Sequence, residues 1–121
     1  QAVPGIVARP VQFTPTSGKY AGELCYGVML HGVEPERARP VQAGLLLLAE
    51  ILDLHREEFV WLPYPTAANA PGFGHFDRLV GQLHIREALS AQLDNLHSQI
   101  VGWTAAPDWA ERVGGILLYY S

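Results

Sequence analysis

Between Pro40 and His55 the chain places Val41, Leu45, Leu48 and Leu52 at helical spacing and fills neighbouring positions with Leu46, Leu47 and Leu54. Side chains three, four and seven residues apart share one face of an α-helix, and the extra leucines widen that face almost all round. A helix apolar on so many sides has to be covered by other elements. The pattern therefore predicts a central helix near residues 40–55, buried on most sides. Pro40 suits its first turn, where the missing N–H has no intrahelical partner to lose. The longest apolar run, Ala43 to Ala49, falls far short of the about 20 residues needed to cross a bilayer. Membrane insertion is not expected.

The elements around this helix are shorter. Residues 1–10 carry Pro4 and Pro10 and read as a linker or domain-joining segment running into a strand, because proline fixes φ and holds its predecessor extended. Leu24 to Val33 suits a pleated, half-buried surface and predicts a strand, with Gly27 marking a bulge or a close backbone approach. Phe59 to Leu62 predicts a short strand. Pro65 to Gly74 reads as a loop, since Pro, Ala, Asn and Gly accumulate there. Short helices follow over Asp77 to Gly81 and Ile85 to Gln92, a longer one over Leu93 to Trp103, and a turn of helix restarts at Pro107. Ile116 to Tyr120 predicts a closing strand. The order implies an α+β fold, a small sheet packed against several helices, with residues 11–121 as one domain.

Composition narrows the function classes. The 121 residues are 49% hydrophobic and 17% charged, enough apolar material for one core. A formal charge of −4 leaves no basic surplus for phosphates, so neither nucleic acid nor an anionic membrane surface is an expected partner. The single cysteine, Cys25, cannot form an internal disulfide or a cysteine-rich zinc site, and within an apolar strand it reads as a buried structural thiol. The chain opens on Gln1 and its one methionine is Met29, so a signal peptide, a tag or a whole domain is expected upstream.

Residue chemistry offers few catalytic leads. The five histidines, at positions 31, 55, 75, 84 and 97, include no i, i+4 pair, so no metal site is expected and surface or capping roles are the default. A glycosidase needs two carboxyls about 5–10 Å apart across the sugar. Asp53, Glu57, Glu58 and Asp77 read instead as solvated residues, with Asp77 as a helix N-cap. Aromatic faces bind the C–H surfaces of sugars. Of Trp61, Trp103, Trp109, Tyr64, Tyr119 and Tyr120, half or more are expected in the core, and Tyr64, beside the proline-rich loop, is the exposed candidate.

One stretch carries more information. Phe13-Thr14-Pro15, then Lys19-Tyr20-Ala21-Gly22, Cys25 and Gly27-Val28 resemble the segment of the NamZ-type exo-β-N-acetylmuramidases that reads Phe-x-Pro, Lys-His-Ala-Gly, Cys and Gly-Val. Further matches keep the same order: Arg39-Pro40-Val41 with Gly44-Leu45, Phe59-x-Trp61, Phe76-Asp77-Arg78-Leu79, Ile85-Arg86, Trp103 and Leu117-Leu118-Tyr119. Together they resemble that family's C-terminal domain from Val11 onward. Tyr20 stands where the family has histidine, the Pro65 to Gly74 loop differs in content, and Pro107 interrupts the last helix.

The resemblance implies an auxiliary domain of a secreted or cell-envelope glycoside hydrolase that removes terminal N-acetylmuramic acid from peptidoglycan fragments in cell-wall recycling. The family's catalytic carboxylate lies in a larger Rossmann-like N-terminal domain, so no catalytic residue and no cofactor are expected in these residues. The implied partners are that N-terminal domain of the same polypeptide and muramic-acid-containing peptidoglycan fragments. One wall of a substrate cleft is then expected from Thr14, Lys19, Tyr20 and the Gly22 to Gly27 segment, with Tyr64 as a further contact. Lys19 would pair with a lactyl or peptide carboxylate of the ligand, against the alternative of an ordinary exposed lysine. The rival reading is a stand-alone carbohydrate-binding or protein-interaction module without catalysis.

Overall fold

The computed structural model describes residues 3–62, 74–91 and 94–116. They form two strands, β1 (Ile6–Phe13) and β2 (Cys25–Gly32), and five helices, α1 (Pro40–Leu54), α2 (His75–Val80), α3 (Leu83–Ala91), α4 (Leu96–Trp103) and α5 (Trp109–Val113). The fold is a small α+β arrangement. Contacts divide the chain into two compact units, Gln1–Gly44 and Leu45–Ser121, and the division falls inside α1. Among the described residues no helix is long and apolar enough to cross a membrane.

In the first unit β1 and β2 pair antiparallel, from Ile6↔Gly32 to Phe13↔Cys25. The Val33 N–H donates to the Gly5 carbonyl at 2.9 Å, which makes odd-numbered residues the ones whose backbone groups face the partner strand. Pro10 is even-numbered, so its missing N–H falls on the outer edge and no ladder bond is lost. For that reason proline does not delay the strand: β1 begins at Ile6 and takes in the second half of the segment read as a linker. Gly27 faces Val11 in an unbroken register, so it marks no bulge.

The base of the ribbon is held by Gly5, at φ +71°. A Cβ there would lie 2.6 Å from both the Ala38 nitrogen and the Glu34 oxygen, so the turn 34–38 closes on bare backbone that only glycine provides. The turn carries its own bonds, Arg37 N–H and Ala38 N–H both donating to the Glu34 carbonyl at 3.0 and 2.9 Å.

The second unit holds the hydrophobic core: Leu45, Ala49 and Leu52 of α1, Ile85 and Leu89 of α3, Leu96 and Ile100 of α4. These are i, i+4, i+7 positions in α1 and i, i+4 positions in α3 and α4, as the 3.6-residue period requires. Burial of α1 is graded rather than continuous. Its core face is covered, Leu46, Leu47 and Leu48 are half-buried, and Val41 and Leu54 near its ends are 64% and 75% exposed.

Three sequence expectations change here. Phe59–Leu62 makes no strand: the Phe59 N–H turns back to the His55 carbonyl at 2.9 Å, and the aromatic side chains pack against the helical core. The helix expected from Leu93 begins at Leu96, after Asn95, whose Oδ1 accepts from Gln99 Nε2 at 2.8 Å. Of the closing strand, Ile116 sits in a turn, its N–H donating to the Val113 carbonyl at 2.8 Å, while residues 117–120 lie outside the described residues. α2, α3 and α5 fall where the pattern places them, and Gly81, at φ +75°, ends α2 in the left-handed conformation that favours glycine.

Candidate functional site

The residues singled out from the sequence gather mainly on the loop 14–24 between β1 and β2. Its path is fixed by backbone bonds: the Gly22 N–H donates to the Pro15 carbonyl at 2.9 Å, Ala21 to Gly18 at 3.3 Å and Glu23 to Tyr20 at 3.1 Å. Gly18 and Gly22 have φ of +91° and +82°. Nothing lies within 4 Å of a Cβ built at either position, so the left-handed backbone, rather than a lack of room, favours glycine at both.

These turns project Lys19 and Tyr20 together. Both are exposed, and Lys19 Nζ stands 5.2 Å from the centroid of the Tyr20 ring. Among the described residues Lys19 has no carboxylate partner. An ammonium over an aromatic face gains about 0.5–1 kcal/mol at an exposed site. That holds the cation near the ring and leaves N–H donors open to an incoming acid. Thr14 is exposed at the start of the same loop.

Gly27 lies further down the ribbon. It shares a sheet face with Phe13 and Cys25, and a Cβ on it would meet the Phe13 ring edge at 3.4 Å. The close approach expected at this glycine is therefore made by an aromatic side chain rather than by backbone, and it seats the ring at the mouth of the loop. Cys25 is half-buried, with Sγ 3.7 Å from the Glu23 carbonyl. Tyr64 lies outside the described residues. Thus Thr14, Lys19, Tyr20 and Gly22 share one loop, and Gly27 supports its base.

Two arrangements in the second unit were not read from the sequence. Asp77, expected as a solvated N-cap, is 3% exposed. It occupies the third position of α2, accepting the Gly74 N–H at 3.1 Å, and both carboxylate oxygens accept from Arg86 Nε at 2.8 and 3.0 Å. The acid followed by an arginine nine residues on is the signal that was available, but only the reversal at Gly81 brings the two together. Trp61 donates Nε1–H to Ser90 Oγ at 3.0 Å and packs edge-on to Phe59, with ring centroids 5.0 Å apart, and against Phe76 at 4.9 Å. Trp103 joins the core margin, whereas Trp109 is exposed. Among the described residues no three His, Cys, Asp or Glu side chains converge as a metal site would require.

The family model described as exo-β-N-acetylmuramidase NamZ, C-terminal, matches residues 1–119. The peptidoglycan β-N-acetylmuramidase NamZ of Bacillus subtilis (strain 168) is 36% identical over 84 residues, which are 69% of this chain and 18% of that protein's length. No solved structure matches the chain.

Proposed function

The chain belongs to the family of C-terminal domains of the exo-β-N-acetylmuramidase NamZ, and on that premise we propose that it is the auxiliary domain of a peptidoglycan-degrading muramidase. In this reading it packs on a catalytic domain of the same polypeptide and supplies one wall of the cleft for muramyl substrates. Clefts between domains are common ligand sites. Because peptidoglycan lies outside the cytoplasmic membrane, the place of action is the cell envelope or the exterior, and the activity serves cell-wall turnover.

The observation that carries the reading is the Lys19–Tyr20 pair on its bonded loop. A muramyl residue presents a lactyl carboxylate, or a peptide attached to it, beside a sugar ring. An ammonium with no carboxylate partner among the described residues, next to an exposed phenol ring, complements both features. The chain's buried acid, Asp77, has both oxygens engaged by Arg86, which supports assigning general acid and base work to the remainder of the polypeptide.

The test compares the full-length polypeptide, the same polypeptide lacking this domain, and the 121-residue chain alone on a chromogenic muramide. The expected result is no turnover by the chain alone. Removal of the domain is expected to lower kcat/KM by more than tenfold, about 1.4 kcal/mol of transition-state stabilisation. Equal kcat/KM with and without the domain would refute the auxiliary role. The exposed apolar residues of the β ribbon favour a second reading, a protein-interaction module without catalysis, for which that equality is the expected result.

A further inference from the structure

The two edges of the β ribbon differ in kind. Residues 26, 28, 30 and 32 of β2 are even-numbered partners in the register, so their N–H and C=O groups point away from β1. All four are non-proline and keep their donors. On β1 the corresponding outer row, Ile6, Ala8, Pro10 and Gln12, is interrupted by Pro10, and Arg9 adds a charge to that strand. Proline and charged residues are the usual guards of a free edge. The β2 sequence, Cys-Tyr-Gly-Val-Met-Leu-His-Gly, contains neither a proline nor an Asp, Glu, Lys or Arg.

The sheet face beside that edge is also largely apolar, and three of its β2 side chains are exposed. Tyr26, Val28 and Leu30 are 71%, 51% and 42% exposed, and they share the face with Ile6, Ala8 and Pro10. A two-stranded ribbon is marginal in water unless a third strand or a helix completes it. Among the described residues no third strand pairs with β2.

We infer that the outer edge of β2 is a strand-acceptor site, and that its occupant is an extended segment from the remainder of the same polypeptide, adding antiparallel or parallel to Tyr26–Gly32. The inference rests on the reading that this chain is one domain of a larger enzyme, and it names where and how the domains join. The length available outside the matched region is large, because that region is 18% of the B. subtilis relative. Backbone bonds from residues 26, 28, 30 and 32 supply the pairing, and alternate apolar side chains of the occupant cover Tyr26, Val28 and Leu30. Pro10 directs the addition to β2 rather than β1.

The test is hydrogen–deuterium exchange resolved to single amides in the full-length polypeptide. The inward amides of Gly27, Met29 and His31, bonded to β1, serve as the internal reference. The expected result is that the outward amides of Tyr26, Val28, Leu30 and Gly32 exchange roughly 100-fold more slowly than unprotected amides. A variant tests the mode of docking. The register sets Val28 opposite Pro10, so Val28→Pro places on β2 the same interruption that β1 carries and removes no ladder bond. Its expected effect is loss of protection at Tyr26, Leu30 and Gly32 with the inward amides unchanged.

Outward amides that exchange at unprotected rates beside protected inward ones would overturn the inference. So would protection that rises with protein concentration in step with a dimer, or equal protection of the same amides in the 121-residue chain alone, since a second copy or this chain's own residues would then be the occupant. Exchange is independent of turnover, so the two readings fail separately. A domain needed for activity but with a fast-exchanging edge refutes the docking mode alone, whereas a protected edge on a dispensable domain refutes the auxiliary role alone.

Discussion

Arg86 Nε lies 2.8 and 3.0 Å from the two carboxylate oxygens of Asp77, whose side chain is 1% exposed while that of Arg86 is 31% exposed. The acid is the buried member, and it also accepts the Gly74 N–H that begins α2. The pair thus ties the start of α2 to the middle of α3.

Removing the arginine leaves a buried carboxylate with one backbone donor. Arg86→Met is expected to destabilise the second unit by about 3 kcal/mol, because an uncompensated buried charge costs more than the pair contributes. Adding Asp77→Asn to that variant is expected to recover part of the loss, since the amide is neutral and still accepts from Gly74. Denaturant unfolding of the single and double variants checks both statements.

Two of the left-handed glycines of the first unit, Gly5 and Gly18, predict different costs. Gly5→Ala is expected to cost roughly 2–3 kcal/mol, since a Cβ would press on backbone atoms as well as strain φ. Gly18→Ala meets nothing within 4 Å and is expected to cost about 1 kcal/mol, from the left-handed backbone alone. Exchange of the Val33 amide, bonded to the Gly5 carbonyl, reports the first effect.

Tyr20 is assigned a stacking role, so its ring matters and its hydroxyl does not. Tyr20→Phe is expected to leave KM for a muramyl substrate unchanged in the full-length polypeptide, and Tyr20→Ala to raise it several-fold, about 1 kcal/mol. Steady-state kinetics with both variants decides this.

How far these features were legible in the sequence follows from the range of the forces involved. The leucine period gave α1, and the shorter apolar periods gave α3 and α4, because one helix face is written into neighbouring residues. Phe59–Leu62 read as a strand because aromatic residues suit sheets. The structure uses Phe59 and Trp61 for side-chain packing instead, a tertiary choice that a local pattern does not contain. Pro10 looked like a linker residue until the register placed it on the outer edge. The burial of Asp77 depends on a partner beyond a chain reversal, and so was read as exposure. On the loop, Gly18, Lys19, Tyr20 and Gly22 were visible as a motif, whereas the stacking of Lys19 on Tyr20 needed the turns that those glycines permit.

The most direct test of the auxiliary-wall account is kcat/KM for Lys19→Ala in the full-length polypeptide on two substrates, a muramide with a free lactyl carboxylate and its methyl ester. The account predicts a loss of roughly tenfold on the free acid, carried mainly by KM, and little change on the ester, because a charge-assisted bond is lost only where the charge exists. Equal kcat/KM for wild type and variant on the free acid would contradict it.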